Sequence, residues 1–477
     1  MRLPIGGPTY TLPSIDINNQ ACLNMYPVSA GPTGDPEQGF ALIPTVGRNS
    51  LVDTSTGVIR GMINVDDVIY VVSGNTVYKL TINDYTQTAT TTSVGTLSSS
   101  TGLVSMERNT TQILIVDGSS TGYITTIATG TTAAIADADF TGGSSAVFMD
   151  SYFIANTPNA STLQASAISD GTSWSALDFT TAEGKPDKVV GLAVDKRELW
   201  IFGERTIEMW YDAANPTGFP FSRRDGAFID LGCAAARSIL NFDNSLVWLD
   251  HRGYIVRAEG YAPKVISTEP VHAAIQSYTV ISDAFAWSHA DRGHLFYCIT
   301  FPSANKTWCY DATTDMWHER GDLDEEENLQ EDDISCCVRY KNLYLAGSTA
   351  TSLVYVLKHD VYTYNGDPIR RLRRLGHQRL EHSRIDISSV RLVAQTGHAL
   401  ATGTGSDTQL MFRYSNDKGY TWSNELTTSF GQIGEYNDDI RFNRLGTARN
   451  WLFEFVIVEP ISFALLDLTL EVSPGGQ

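Results

Sequence analysis

Residues 415–422 read Ser-Asn-Asp-Lys-Gly-Tyr-Thr-Trp, the Ser-x-Asp-x-Gly-x-Thr-Trp spacing of an Asp-box, a hairpin turn common in β-propeller glycosidases. Sialidase chemistry would need an arginine cluster for the substrate carboxylate, a tyrosine nucleophile and a carboxylate partner. Arg, Tyr and Glu are plentiful, but no spacing groups them. The box itself is architectural. Asp417 can accept hydrogen bonds from the amides of its own turn, and Gly419 supplies the positive φ that such a turn requires. Ser415 and Thr421 complete the turn, and Trp422 is expected to bury its ring beneath the hairpin. The motif is therefore a fold signal, with a glycan-cleaving or glycan-binding protein as the rival reading.

Two charged runs are the other candidates. The stretch 321–333, GDLDEEENLQEDD, gathers Asp322, Asp324, Glu325, Glu326, Glu327, Glu331, Asp332 and Asp333. Calcium loops alternate their ligands around a mid-loop glycine, a pattern missing here, so a solvated loop between blades is expected. A sharper reading has this loop line a conduit or meet a basic neighbour. Such a neighbour is PIRRLRRLGHQR (368–379), with Arg370, Arg371, Arg373, Arg374 and Arg379. Nucleic-acid surfaces interleave cations with stacking aromatics, and this run has none. A subunit contact is the expectation. The chain lacks a Gly-x-Ser-x-Gly elbow, a Walker loop and a His-Glu-x-x-His helix, and its nine histidines are scattered. Six cysteines show no metal-ligand spacing, so neither a metal nor a cofactor is expected. Cys298 and Cys309 flank a hairpin and could face each other across it, with reduced packing thiols the preferred state.

The elements that carry these residues are strands. Apolar residues make up 42% and charged ones 18% of 477 residues, enough for a large core, and Thr, Ser, Gly, Tyr and Val dominate. This is an all-β composition. Strand-turn-strand units recur, with Tyr70, Leu114, Phe153, Trp200, Val247, Phe296 and Leu343 at equivalent places. Their spacing is roughly 40–50 residues, the length of a propeller blade. Stacked radially, each blade covers the next. Six or seven blades over residues 51–360 are predicted, with Trp200, Trp210, Trp248, Trp308 and Trp317 filling the gaps. A pair of β-sandwiches is the alternative, but its strands would recur every 8–12 residues or so with no longer period. Residues 1–50 read as an extended arm and 361–477 as a carboxy-terminal β-sandwich. The apolar stretch from Trp451 to Val472 is broken by Glu454, Glu459, Pro460 and Asp467, which excludes a membrane span and fits two strands. No basic-then-apolar leader opens the chain. Its 34 basic and 54 acidic residues give a net charge of −20, which repels nucleic acid rather than holding it.

Several segments, in order, resemble the podovirus packaged-DNA stabilization proteins, the tail hub or nozzle. They are NNQACLNMYPV and IPTVG at the start, and DGTSWSALDFTTAEGKPDKVVGLAV with ELWIFGERTIEMWYD in the middle. GAFIDLGCAAARSI, DNSLVWLDHRGYIVRAEGYAPKVIST, PIRRLRRL, YSNDKGYTWSNE and RFNRLGTARNWLFEFVIVEP continue the match. Ala21 stands where that family commonly has a basic residue, and Val46 replaces a proline. The resemblance implies a virion structural protein without an active site. It implies a homohexamer below the portal and its adaptor ring that retains packaged DNA, forms the ejection conduit and carries needle or tail-spike proteins. It also implies residence in the virion tail after assembly in the host cytoplasm. A lumen lined by carboxylates would let double-stranded DNA pass unheld. The rival in this setting is a sialidase-like glycosidase or glycan-binding adhesin acting at the host envelope.

Overall fold

The structure, a computed structural model, describes residues 1–477 except 30–38, 84–86, 183–184, 186, 216, 325–327, 380–382, 437–438 and 475–477. Seven four-stranded antiparallel blades follow one another around an axis. Blades 1 to 6 begin with strands Ile59–Val65, Ser105–Arg108, Ala146–Met149, Val189–Asp195, Leu240–Phe242 and Phe285–Asp291. In each, strands pair in chain order from the axis outward. Blade 7 is built differently. Its three inner strands, Cys336–Tyr340, Leu343–Gly347 and Leu353–Lys358, are completed by Gly47–Asp53 from the other end of the chain. That strand straddles the boundary expected at residue 50, because closing the ring requires one blade to be shared between distant segments.

The seven recurring markers all fall on the second strand of their blades. Tight turns connect first and second strands. In blades 1, 3, 4, 5 and 6 both turn residues have positive φ, as at Lys196 (48°) and Arg197 (63°). This is the twist-matched turn of two-residue hairpins, here without the usual Asn-Gly signal. Each gap between neighbouring blades holds its own apolar cluster. The tryptophans lie where expected. Trp200 and Trp248 meet edge to face between blades 4 and 5, their ring centroids 6.4 Å apart. Trp210 fills the gap between blades 3 and 4, and Trp308 and Trp317 the gap between 5 and 6.

Residues 1–45 depart from the expected extended arm. Met25–Ser29 and Phe40–Pro44 enter one sheet of the carboxy-terminal sandwich beside Leu465–Pro474, Ile385–Ala394 and Ile440–Ala448, and Arg2–Leu3 pairs with the same Leu465–Pro474. Asn19–Leu23 pairs antiparallel with Arg371–Arg374 in the second sheet, which continues through Leu452–Ile457, Gln409–Ser415 and Leu426–Ser429. Its other edge runs parallel to Met316–Arg320, the outer strand of blade 6, at Leu23 and Glu319. Propeller and sandwich thus share one continuous sheet. The physical cause is burial: Ile5, Cys22, Met25 and Leu42 are core residues of the sandwich and could not stay exposed. The stretch from Trp451 forms two strands, Leu452–Ile457 and the start of Leu465–Pro474, around the bend at Glu459 and Pro460. No helix among the described residues is long and apolar enough to cross a membrane.

Candidate functional site

Charged side chains converge where the amino-terminal segment, blades 6 and 7 and the sandwich meet. Arg48 sits on the strand that closes blade 7, and Arg320 ends the outer strand of blade 6. Both are almost wholly buried, and both face Asp332, which is 0% exposed. Arg48 ion-pairs with one Asp332 oxygen, while Arg320 Nε lies 2.9 Å from the other. The second contact is electrostatic rather than a well-aligned hydrogen bond. Burial is the largest influence and opposes both charges, but Asp332 together with the neighbouring acidic groups, Tyr364 among them, outweighs it and raises both guanidinium pKa values. Aromatic faces enclose the pair: Arg48 lies 4.0 Å from the Tyr364 ring centroid and Arg320 5.2 Å from that of Trp287. Nearby, Asn24 in left-handed conformation donates to the carbonyls of Gly321 and Arg370 and accepts from the Gly321 amide. Burial keeps His289 and His318 neutral, pulling His318 down to about 3.

The acidic run is therefore only partly a solvated loop. Asp332 is a core anion. Asp333 caps a turn, accepting from the Thr349 and Ala350 amides, the Ser348 hydroxyl and Tyr355. Asp324 accepts from Asn328 and Gln330, and Glu331 is half-buried with its carboxyl pushed up by burial. Glu325, Glu326 and Glu327 lie outside the described residues. Asp322 and Leu323 pair with Leu329 and Gln330 as a short hairpin.

The arginine run also differs from expectation. Arg371 and Arg373 are 0% and 1% exposed, so they bind within the chain and cannot form a subunit contact. Arg371 donates to the carbonyls of Ile369, Tyr362 and Glu459, and burial pulls it down to about 10. Arg373 donates to those of Gly7, Pro8 and Ala21. Backbone carbonyls are what the buried guanidiniums hold, those of the amino-terminal segment in the case of Arg373, partners that the alternation of Arg with Leu372 and Leu375 did not disclose. Arg374 pairs with Glu454 and donates to Asn19 at 2.7 Å. Arg370 is half-buried and Arg379 exposed.

These residues also explain the Asp-box. Asp417 accepts from the Thr421 amide and hydroxyl and from Ser415 Oγ, while Ser415 Oγ accepts from the Gly419 amide. Gly419 has φ +100°, and a Cβ there would come 2.6 Å from Asn19 Nδ2. Trp422 is half-buried rather than sunk beneath the hairpin. Its ring lies under the guanidiniums of Arg374 and Arg413, 5.0 and 4.9 Å from its centroid, both paired to the buried Glu454. The box thus pins the sandwich to the amino-terminal strand. The Thr421 and Ser415 bonds hold the Asp417 carboxyl down at about 2. The folded state gains from this above the ordinary value of 3.8 and loses it as pH falls through about 2. Asp417→Ala is expected to speed amide exchange at Thr421 at neutral pH, read by mass spectrometry, and to lower the neutral-pH urea midpoint slightly, a difference that closes as pH falls toward 2.

Beside Tyr26 and Arg320, one place where arginine, tyrosine and carboxylate gather, the packing leaves no room for a water molecule. A second such gathering, of Arg257, Tyr310, Asp243 and Asp315, lines an open cavity of about 560 Å³ but holds one arginine rather than a cluster. No cluster of metal-ligating side chains occurs among the described residues. All six cysteines are free, and Cys298 and Cys309 are directly opposed with their Sγ atoms 2.7 Å apart.

The first strands of the blades, with the segments just before them, enclose an axial cavity of about 240 Å³. Glu107 faces it, half-buried and ringed by protein, and burial lifts its carboxyl from 4.5 to about 7. A raised carboxyl favours the fold fully below pH 4.5 and loses that contribution as pH rises through 7. Glu107→Gln is expected to leave stability at pH 4 unchanged. At pH 8 it should add about 2 kcal/mol, discounted for the partial exposure of Glu107. Urea midpoints at the two pH values check both.

Two family models match the chain in succession. One, described as bacteriophage P22 Gp10, β-propeller, spans residues 1–361, and the other, bacteriophage P22 Gp10, β-sandwich, spans 373–473. The chain belongs to the bacteriophage P22 Gp10 family. Gp10 proteins are phage tail structural proteins that stabilise packaged DNA, so this chain is a phage structural protein with a propeller and a sandwich. No curated protein sequence matches. Among solved structures, the WD40 β-propeller domain of Doa1 is 13% identical, covering 66% of this chain and 97% of that one at a TM-score of 0.42. The extracellular domain of a hybrid two-component system of B. thetaiotaomicron is 10% identical, covering 66% of this chain and 40% of that one at 0.44. These likenesses are loose, and the Gp10 assignment rests on the two family models.

Proposed function

We propose that this chain is the subunit of a homo-oligomeric ring, a hexamer, that extends the phage tail below the portal and its adaptor ring. In this reading the ring retains packaged DNA, forms the ejection conduit and carries needle or tail-spike proteins, in a virion assembled in the host cytoplasm. The supporting observation is the ordered match of propeller and sandwich models to the Gp10 family over almost the whole chain. The net charge of −20 suits a conduit that DNA slides past, since counterion release cannot drive binding to an acidic wall. The sheet shared by propeller and sandwich suits a wall under internal pressure. The purified protein, mixed with portal–adaptor particles and examined by native mass spectrometry and negative-stain imaging, is expected to add a closed ring. Persistent monomers beside an unoccupied adaptor would refute the reading.

A further inference from the structure

The outermost strands of the blades differ in how they are protected. An outer strand presents unpaired amides and carbonyls that invite another strand, and proteins guard such edges with charge, proline or a covering element. Blade 4 ends in Phe221–Ile229, which carries Arg223, Arg224 and Asp225, and blade 5 ends in Ala262–Val265, which carries Pro263 and Lys264. Blade 6 is covered by Asn19–Leu23 and blade 7 by Thr363–Tyr364. Blades 1 to 3 are different. Thr88–Thr96 (TATTTSVGT) and Thr131–Ala134 (TTAA) contain no charged residue. They pair with no further strand among the described residues. Blade 3 ends in Asp170–Thr181, where Leu177 and Phe179 are 77% and 52% exposed. Its inner half is guarded by Asp137 and Asp139, which accept from the Trp174 and Ala176 amides, and its outer half carries a single half-buried carboxylate, Asp178, between the two exposed apolar side chains. Three adjacent blades thus offer a Thr-rich perimeter with an apolar end, on a chain that is otherwise strongly acidic.

We propose that this perimeter of blades 1 to 3 is the surface through which one copy of the chain meets the next. The inference rests on the ring reading above and specifies its contact. Charge identifies the occupant. A basic partner would be best held by the acidic remainder of the surface, whereas an equally acidic copy can approach only where carboxylates are sparse, as along the uncharged outer strands of blades 1 and 2. In a ring the two meeting surfaces differ, so this perimeter lies at every junction.

The test is assembly on portal–adaptor particles by wild type and by the Thr90→Asp/Leu177→Asp variant. Both positions are exposed, so the variant should unfold at the wild-type urea midpoint. Its assembled fraction is expected to fall about tenfold, with partial recovery in added salt as the new repulsion is screened. Ala262→Asp, on the guarded edge of blade 5, should assemble like wild type. A double variant that assembles as well as wild type overturns the proposal. So does one that forms rings but loses spike binding, which would give the surface to the spike. Failure of wild type itself to form rings overturns the ring reading and the contact with it, an outcome distinct from the other two.

Discussion

Asp332→Asn is expected to destabilise the protein by about 3–5 kcal/mol, the usual cost of removing one partner from a buried ion pair. Asp332 is the shared anion of Arg48 and Arg320, which are 3% and 1% exposed. Asparagine keeps the shape but leaves two buried cations facing each other with only the longer, partly exposed Asp322 contact, 3.9 Å from Arg48, as counter-charge. The loss arises from those stranded charges more than from any net attraction in the wild-type pair. Arg48→Met/Asp332→Leu/Arg320→Met should therefore recover most of the stability, because an apolar cluster of similar volume needs no counter-charge. Urea denaturation of the single and triple variants checks both statements. A loss below about 1 kcal/mol for Asp332→Asn would mean that water or rearrangement compensates the arginines. Because Arg48 closes blade 7 and Arg320 ends blade 6, the variant should loosen those blades first. Faster amide exchange in Gly47–Asp53 than in Ser105–Arg108 would report it.

How far the sequence discloses this architecture depends on the range of the contacts involved. The blades are local. Second-strand cores such as Leu199–Phe202 and Leu246–Leu249 are fully buried and flanked by turns, so apolar runs at blade spacing reveal them before any fold is known. Exact blade number was less legible because the seventh blade borrows Gly47–Asp53 from nearly 300 residues away. The arginine run was misleading for a related reason. Arg371 and Arg373 have the composition of a surface patch, yet their partners are the carbonyls of Gly7, Pro8, Ala21, Tyr362, Ile369 and Glu459, and carbonyls leave no mark in a sequence. Asp332 likewise sits in an acidic run of ordinary loop composition, and only its buried partners distinguish it from Asp324. The Asp-box was legible as a turn, because its hydrogen bonds close within residues 415–421. Its role against Arg374, Arg413 and Asn19 was not. The charge pattern of the outer strands was readable throughout, but it acquired meaning only when the strands were known to be edges.

Residues 361–477, expressed alone, are expected not to fold. This fragment is the whole carboxy-terminal sandwich as the sequence divides the chain, but not as the structure does. Without residues 1–45, Leu465–Pro474 loses Phe40–Pro44 and Arg2–Leu3, and Arg371–Arg374 loses Asn19–Leu23. The core loses Leu3, Ile5, Cys22, Met25 and Leu42. Burying a large apolar side chain contributes about 1.5–3 kcal/mol, so Leu3, Ile5, Met25 and Leu42 alone amount to roughly 6–12 kcal/mol of gross stabilisation. A domain's entire net stability is typically about 5–15 kcal/mol. Arg373 would also lose the carbonyls that receive its guanidinium, leaving a buried cation with few acceptors. The isolated fragment should therefore lack a cooperative transition by circular dichroism, and fusing residues 1–45 to its amino terminus should restore one. A cooperative transition in the isolated fragment would show the sandwich to be independent. It would also remove the mechanical reasoning for the conduit, since a load on the propeller can reach the sandwich through the Leu23–Glu319 pairing only if the amino-terminal strands are integral to both.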